Sequence, residues 1–129
     1  MRYVIDSFAW LEYFIGSPKG KVAQEIIDSR ADEKFTPTIC VAEVYAKSLK
    51  NEGETMAETR RNFMRDRSAV APLNEGTAVE AAKIDVARKK EVGRWGLADS
   101  VVLATARELN AKVLTGDAHF EGLQDVVML

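Results

Sequence analysis

The stretch Leu97-Ala98-Asp99-Ser100-Val101-Val102-Leu103-Ala104-Thr105-Ala106 is typical of a buried helix that carries one acid. Residues three, four and seven positions apart lie on one helical face. Val102, Leu103 and Ala106 therefore share a face with the acid, and they make that face apolar. An isolated carboxylate there is costly unless it is paired, protonated or bound to metal. Asp99 is therefore expected to face groups that compensate its charge.

Short apolar runs alternate with helical patterns on either side of this helix. The pattern predicts strands at 3–5, 34–36, 70–73, 112–115 and 126–128. It predicts helices at 8–15, from 18 onward, 37–51, 54–69, 74–92 and 97–109, with Ser7 as the cap of the first. Such alternation is typical of an α/β domain with a largely parallel sheet. Inward faces are expected to carry Ala42, Tyr45, Ala46 and Leu49 on the third helix and Val79, Ala82 and Val86 on the fifth.

Length and composition favour one globular domain spanning 1–129. The chain has 129 residues, 47% of them hydrophobic, and a formal charge of −2. A net charge this small does not produce an overall electrostatic field that would indicate binding to nucleic acid or to a membrane surface. The single cysteine, Cys40, is expected to be a buried apolar residue, and the absence of disulfides fits a reducing cytoplasm. We expect no signal peptide and no membrane span.

Four acids occupy positions where an α/β domain places its chemistry. Asp6 ends the first strand, and Asp117 follows the strand at 112–115 through one glycine. Sites in open parallel sheets lie outside the carboxyl ends of the strands. Glu43 and Asp99 lie on or beside apolar helix faces. We therefore expect these four carboxylates to gather in one site.

Each acid also has a structural explanation when it is taken alone. Asp6 and Asp99 are near helix starts, where acids are favoured. Glu43 can pair with Lys47 one helical turn later, and Asp117 can serve the turn after Gly116. The presence of all four acids in one site is harder to explain in this way. Two carboxylates about 4 Å apart repel each other by roughly 4 kcal/mol at an effective dielectric constant near 20. A divalent cation relieves that repulsion, and an all-oxygen shell suits Mg²⁺ or Mn²⁺.

The acids lie in segments that resemble the four motifs of PIN domains. These are Val4-Ile5-Asp6-Ser7, Val41-Ala42-Glu43-Val44, Leu97-Ala98-Asp99-Ser100 and Leu114-Thr115-Gly116-Asp117. The short form of the chain is similar to VapC toxins of toxin–antitoxin pairs. The resemblance covers essentially the whole chain. It implies a PIN-like three-layer fold, with a mostly parallel five-stranded sheet in the order 3-2-1-4-5 flanked by helices.

The resemblance also implies a Mg²⁺-dependent endoribonuclease, with Mn²⁺ as a substitute, that leaves 5′-phosphate and 3′-hydroxyl ends. Asp6, Asp99 and Asp117 would hold metal directly or through water. Glu43 would bind metal or orient the attacking water, and Thr115 would hold Asp117 or a water in place. The implied partners are RNA as substrate, a VapB-type antitoxin and a second copy of the chain.

One position departs from the family pattern. Many relatives carry a small hydroxyl residue two positions after the first acid, where this chain has Phe8. Either Ser7 supplies the hydroxyl or the site works without it. The only histidine, His119, is expected at the surface or in packing, because metal-assisted hydrolysis needs no histidine base.

Basic and aromatic residues suggest surfaces for RNA or a partner. The basic stretches are Arg60, Arg61, Arg65 and Arg67, and Arg88, Lys89, Lys90 and Arg94. The first fits a solvated helix face equally well, and the second is favoured because it precedes the Asp99 helix. Trp95 beside it either stacks on a base, packs in the core or lies at an interface. Trp10, Tyr13 and Phe14 are expected to divide between the core and a groove for an antitoxin helix.

Other α/β functions fit less well. A phosphotransfer receiver needs paired acids after the first strand, and a haloacid-type phosphatase needs a second aspartate where Phe8 stands. The glycine-rich loop of a nucleotide-binding module is absent. Two alternatives stay open: an RNA-processing PIN nuclease without an antitoxin, and a catalytically silent PIN domain that binds RNA or protein.

Overall fold

A computed structural model describes residues 1–129. The strands are Arg2–Ile5 (β1), Glu33–Pro37 (β2), Ala69–Ala71 (β3), Lys112–Thr115 (β4) and Val126–Met128 (β5). The helices are Ser7–Ile15 (α1), Pro18–Ile27 (α2), Thr38–Glu52 (α3), Glu54–Arg67 (α4), Glu75–Lys89 (α5) and Leu97–Glu108 (α6). A 3₁₀ turn, Ala118–Phe120, separates β4 from β5. None of the helices is long and apolar enough to cross a membrane.

All five strands are parallel, and their spatial order is β3-β2-β1-β4-β5. The sequence-based prediction of the fold and of the 3-2-1-4-5 order is therefore confirmed. β1 lies at the centre, where Val4 pairs with Phe35 on one side and Val113 on the other. Because successive side chains of a strand point to opposite faces, Ile5 belongs to one core and Val4 to the other.

The two cores give the fold its three layers. Ile5 packs with Trp10 of α1, Ile27 of α2 and Met64 of α4. On the opposite face, Val4 packs in a cluster that includes the α6 side chains Val102, Leu103 and Ala106. Trp95 is 1% exposed and belongs to this second core. Of the three roles left open for Trp95, the structure supports core packing.

Most helix ends follow the local signals in the sequence. Gly16 ends α1 in the left-handed region at φ 76°, and Asn74 Oδ1 accepts a hydrogen bond from the Thr77 N–H at 2.9 Å. The prediction that Ser7 caps α1 is wrong, because the helix begins at Ser7 and its N-cap residue is Asp6. The Asp6 side chain makes no capping hydrogen bond, since its carboxyl oxygens contact Thr115 and Cys40 instead.

The predicted inward faces of α3 and α5 are wrong. On α3 the buried residues are Cys40, Val44 and Ser48, whereas Leu49 is 47% exposed. On α5 the buried residues are Thr77 and Ala81, while Val79, Ala82 and Val86 are exposed. Both helices carry apolar residues on two faces. The face with the smaller side chains is the one that packs closely against its neighbours.

The outward apolar face of α3 forms a groove with α4. The groove encloses about 670 Å³. Its apolar lining includes Val41, Ala42, Tyr45, Ala46, Leu49 and Val70. Glu58, Arg61 and Arg65 of α4 add charged groups to the same lining. The chain therefore leaves an apolar surface with a charged border on one side of the fold.

Candidate active site

The four predicted acids meet at the carboxyl edge of the sheet. Asp6 directly follows β1, and Asp117 follows the neighbouring parallel strand β4 through Gly116. Glu43 comes from α3 and Asp99 from the first turn of α6. Their charges affect one another, because Glu43 and Asp99 raise the pKa of Asp6, and Asp99 and Asp117 raise the pKa of Glu43.

Asp6 is the most buried of the four acids. It is 5% exposed, and its Oδ2 accepts a hydrogen bond from Thr115 Oγ1 at 2.8 Å. Burial raises the pKa of Asp6 to about 6, although the Thr115 hydrogen bond opposes the shift and the charge of Glu43 adds to it. A carboxyl group in this position is ionised at a high energetic cost unless a cation is nearby.

Cys40 lies beside Asp6, and the prediction that it is buried is confirmed. Its Sγ donates to Asp6 Oδ1 over 3.7 Å. Burial, together with the charges of Asp6 and Glu43, raises the pKa of Cys40 well above its ordinary value. In the absence of a metal ion this shift favours the protonated thiol, which donates to the acid.

Glu43 occupies the open side of the site. Its side chain lies on the same face of α3 as Cys40, three residues earlier, and one ligand atom from each of Asp6, Cys40 and Glu43 lies within 4.8 Å of the others. Desolvation raises the pKa of Glu43, while hydrogen bonding to the Ser7 side chain opposes the shift. Ser7 is therefore near Glu43, and it is the first residue of α1 and not its cap.

Asp99 and Asp117 form the other half of the site with His119. Asp99 Oδ2 accepts a hydrogen bond from the Gly96 N–H at 3.0 Å. Ligand atoms of the two acids and His119 lie within 4.8 Å of one another. The His119 Nδ1 atom is 3.4 Å from Asp99 Oδ2 and 3.6 Å from Asp117 Oδ1. Sequence reasoning missed this neighbour, although its spacing two residues after Asp117 places both in one turn.

The hydroxyl of Thr115 connects the two strand ends. Besides donating to Asp6, Thr115 Oγ1 accepts a hydrogen bond from the Asp117 N–H at 3.1 Å. Thr115 itself is fully buried. The prediction that it holds Asp117 in place therefore agrees with the contacts, and the contact with Asp6 is additional.

Phe8 fills the space next to Gly116. A Cβ atom at Gly116 would lie 2.4 Å from Phe8 Cε1. Real Cβ atoms do not approach a ring this closely, so glycine is required between Thr115 and Asp117 as long as Phe8 occupies this position. The residue that departs from the family pattern is thus packed against the segment that carries one of the acids.

Most residues of the basic stretches make contacts within the chain. Arg60, Arg61 and Arg67 of α4 form ion pairs with Glu52, Glu58 and Asp28, respectively. In the second stretch, Lys89 pairs with Asp85, and Arg88 Nη2 donates to the His119 carbonyl at 2.9 Å. Lys90 and Arg94 are exposed and form no ion pair.

The donor set fits a divalent metal ion. Four carboxylates from four elements converge, and the one most deeply buried has a pKa raised to about 6. Bringing their charges together without a cation is unfavourable, and hard cations such as Mg²⁺ bind oxygen ligands. The site chemistry therefore accommodates the ion that the resemblance implies.

Comparisons with known proteins agree with this architecture. A toxin–antitoxin complex from Klebsiella pneumoniae has 21% identity and a TM-score of 0.72, with 98% of this chain and 96% of that chain covered. VapBC2 from Rickettsia felis has 11% identity, a TM-score of 0.77 and coverage of 100% and 98%. VapC20 from Mycobacterium tuberculosis, described as a sarcin-ricin loop cleaving toxin, has 15% identity, a TM-score of 0.76 and coverage of 96% and 98%.

Because the sequence identities are only 11% to 21%, these structural similarities show a shared fold. No curated protein sequence matches the chain at a significant level. The family model for the PIN domain matches residues 3–125. The matched range includes all four acids. It contains every helix and strand except β5 and the first residue of β1. The protein therefore belongs to the PIN domain family.

Proposed function

We propose that this protein is a metal-dependent endoribonuclease and the toxic component of a type II toxin–antitoxin pair. The observation that carries the proposal is the convergence of Asp6, Glu43, Asp99 and Asp117 at the carboxyl edge of the sheet. Toxins of VapBC pairs have the same fold, and one of them is described as cleaving the sarcin-ricin loop. RNA in the cytoplasm is the proposed substrate.

The chain's own residues would hold Mg²⁺, or Mn²⁺ in its place, through Asp6, Asp99 and Asp117. When bound, the ion makes water more acidic and neutralises the scissile phosphate. Thr115 fixes the direction of the Asp6 carboxylate and the backbone position of Asp117. These two contacts position both acids before a cation binds.

Glu43 is proposed to orient the attacking water and to accept its proton. It is exposed at the mouth of the site, and its raised pKa suits a general base. Lys90 and Arg94 are free to contact the phosphates of the RNA backbone. Such contacts supply affinity that falls as salt concentration rises.

The groove between α3 and α4 is proposed as the surface for a VapB-type antitoxin. Its lining combines apolar side chains of α3 with charged residues of α4. An amphipathic helix binds such a groove through its apolar face, and its polar face meets the charged border. A homodimer, the other partner that the family implies, is proposed to use a separate surface.

Cleavage by the purified protein tests the nuclease proposal. Partner-free protein is stripped with chelator and incubated with mixed single-stranded RNA in Mg²⁺, in Mn²⁺ and without metal. We expect metal-dependent cleavage that Asp99→Asn abolishes. The matched control is Asp125→Asn, an acid that pairs with Arg107 away from the site, and it should cleave normally.

The outcomes separate the proposed function from the alternatives. Full cleavage by Asp99→Asn would remove this acid from the reaction. No cleavage and no effect of metal on the unfolding temperature would favour the silent binding module. Metal-dependent cleavage by a chain from which no small partner is recovered in the first native purification step would favour an RNA-processing nuclease.

A further inference from the structure

We infer that His119 supplies a nitrogen ligand to the Asp99–Asp117 half of the site, which makes this half select Mn²⁺ over Mg²⁺. The inference deepens the proposed function, because it concerns the ion that the nuclease uses. It also stands on geometry that is independent of RNA cleavage. The ligating atom is the His119 Nδ1.

The ring of His119 is directed at both carboxylates. Nδ1 lies 3.4 Å from an oxygen of Asp99 and 3.6 Å from an oxygen of Asp117. These separations are close to the distance between two neighbouring ligand atoms of one ion, when each atom is bonded to the ion at about 2.1 Å. The three residues are partly buried and reachable by a hydrated ion.

The backbone of His119 is held from both sides, so the ring is presented in a fixed place. Its N–H donates to Asp117 Oδ1 at 2.9 Å, and its carbonyl accepts from Arg88 Nη2 at 2.9 Å. Arg88 is itself packed over the Trp95 ring, with its guanidinium carbon 5.1 Å from the ring centroid. Trp95 is buried in the core, so the contacts that hold the His119 backbone extend into the core. A preorganised ligand loses little conformational entropy when the ion binds.

The ligand chemistry distinguishes the two halves of the site. Asp6 and Glu43 contribute carboxylate oxygens, and the Cys40 Sγ beside them donates to Asp6 Oδ1. The Asp99 half offers two carboxylates and one imidazole. Mg²⁺ prefers an all-oxygen shell, whereas imidazole is a good ligand for first-row transition ions. Mn²⁺ binds the same carboxylates, and the imidazole nitrogen adds to its binding affinity.

The chain contains one histidine, which makes the test specific. Tag-free protein labelled with ¹⁵N-histidine carries the isotope only at His119. Pulsed electron paramagnetic resonance of bound Mn²⁺ should detect coupling to the ring nitrogen, with the isotope change visible on labelling. In His119→Gln the coupling should vanish. The unfolding temperature of the chelated variant, compared with the parent, checks that the fold is retained.

Calorimetric titration of both ions provides the second readout. We expect His119→Gln to weaken Mn²⁺ binding by about tenfold or more, the loss typical of disturbed metal-site residues, and to change Mg²⁺ binding by less than about twofold. Asp99→Asn should weaken both ions, because it removes a shared oxygen ligand. Selective loss of Mn²⁺ affinity together with loss of the nitrogen coupling supports the inference.

Other outcomes overturn the inference. Bound Mn²⁺ without nitrogen coupling in the parent protein would do so, as would equal loss of both ions in His119→Gln or no loss of either. Failure of both ions to bind the parent would overturn the inference together with the metal site. Selective Mn²⁺ binding without RNA cleavage would leave the inference intact and contradict the proposed function.

Discussion

Thr115 Oγ1 donates a hydrogen bond of 2.8 Å to Asp6 Oδ2, which joins the carboxyl ends of the two central strands through one hydroxyl. The same oxygen accepts the N–H of Asp117 at 3.1 Å. A single side chain therefore orients one acid through its carboxylate and another through its backbone. Thr115 acts on the site through these acids.

Thr115→Val should weaken the metal site while the fold is kept. The substitution preserves shape and removes both hydrogen bonds. We expect Mg²⁺ affinity to fall by about tenfold to a hundredfold, the range for lost supporting contacts. Stability should fall by about 1–3 kcal/mol, because Asp6 and the Asp117 N–H lose a buried partner. Titration calorimetry and urea unfolding measure the two effects.

Thr105→Val is the matched control for that experiment. Thr105 is also buried, and its hydroxyl bonds the Val101 carbonyl within α6. The Thr105→Val variant should bind Mg²⁺ with the same affinity as the parent. Equal losses of affinity in both variants would show that general loosening of the core, and not the contact with Asp6, controls the site.

Asp6→Asn should stabilise the metal-free protein at neutral pH. Burial holds the pKa of Asp6 at about 6 in the folded chain, above the ordinary 3.8. Between these values the folded chain keeps a proton that the unfolded chain has lost, so stability decreases as pH rises from about 4 to about 6. The decrease is at most about 3 kcal/mol, at 1.36 kcal/mol for each pKa unit.

Urea unfolding in chelator at pH 4 and pH 7.5 measures this effect. Asp6→Asn should be more stable than the parent at pH 7.5, and most of its advantage should be lost at pH 4, which is well below the folded pKa of about 6 and close to the ordinary 3.8. Saturating Mg²⁺ should stabilise the parent and not the variant. A constant difference at both pH values would contradict the prediction.

Gly116→Ala should be destabilising because of Phe8. The new methyl group would lie 2.4 Å from Phe8 Cε1. We expect a loss of about 1–3 kcal/mol, as for other overpacked sites. In a Phe8→Ala background the ring is gone and the same change should cost much less, which a double-mutant cycle quantifies. Gly93→Ala, where nothing lies within 4 Å, is the neutral control.

Leu49→Glu should block binding of the proposed VapB-type antitoxin. Leu49 is 47% exposed and lines the groove between α3 and α4. A charge placed there would be desolvated by an apolar partner helix. We expect at least about tenfold weaker binding of the cognate partner, corresponding to about 1.4 kcal/mol, and RNA cleavage that escapes inhibition.

Val86→Glu provides the comparison, because Val86 is 66% exposed on α5 and lies outside the groove. The partner should bind this variant as it binds the parent. If Val86→Glu abolished partner binding and Leu49→Glu did not, the partner surface would be on α5.

The local signals in the sequence predicted the architecture. The β-branched runs, the cap at Asn74 and the stop at Gly16 place the elements within about three residues of their bounds. The position of Asp6 and Asp117 after two strands predicted their convergence, since parallel strands end at one edge. These features depend on backbone geometry, which nearby residues determine.

Side-chain packing was harder to predict. Val86 of α5 has the right spacing for a core residue, yet α5 packs on α6 through Ala81 and Ala104. Small residues allow close approach of two helices, and periodicity alone does not reveal this choice. His119 was missed for a related reason. Its contact with Asp99 depends on how a turn after β4 meets the start of α6, which are distant in the sequence.

The placement of β1 at the centre of the sheet affects when the candidate site can form during synthesis. Asp6 leaves the ribosome early, but its partner Thr115 is 109 residues further along the chain. Until β4 has emerged, β1 has no neighbour on one side and the site lacks Asp117. A chain that is still incomplete therefore lacks one of the four acids on which the proposed nuclease depends. The strand order delays assembly of the candidate site until translation is nearly finished.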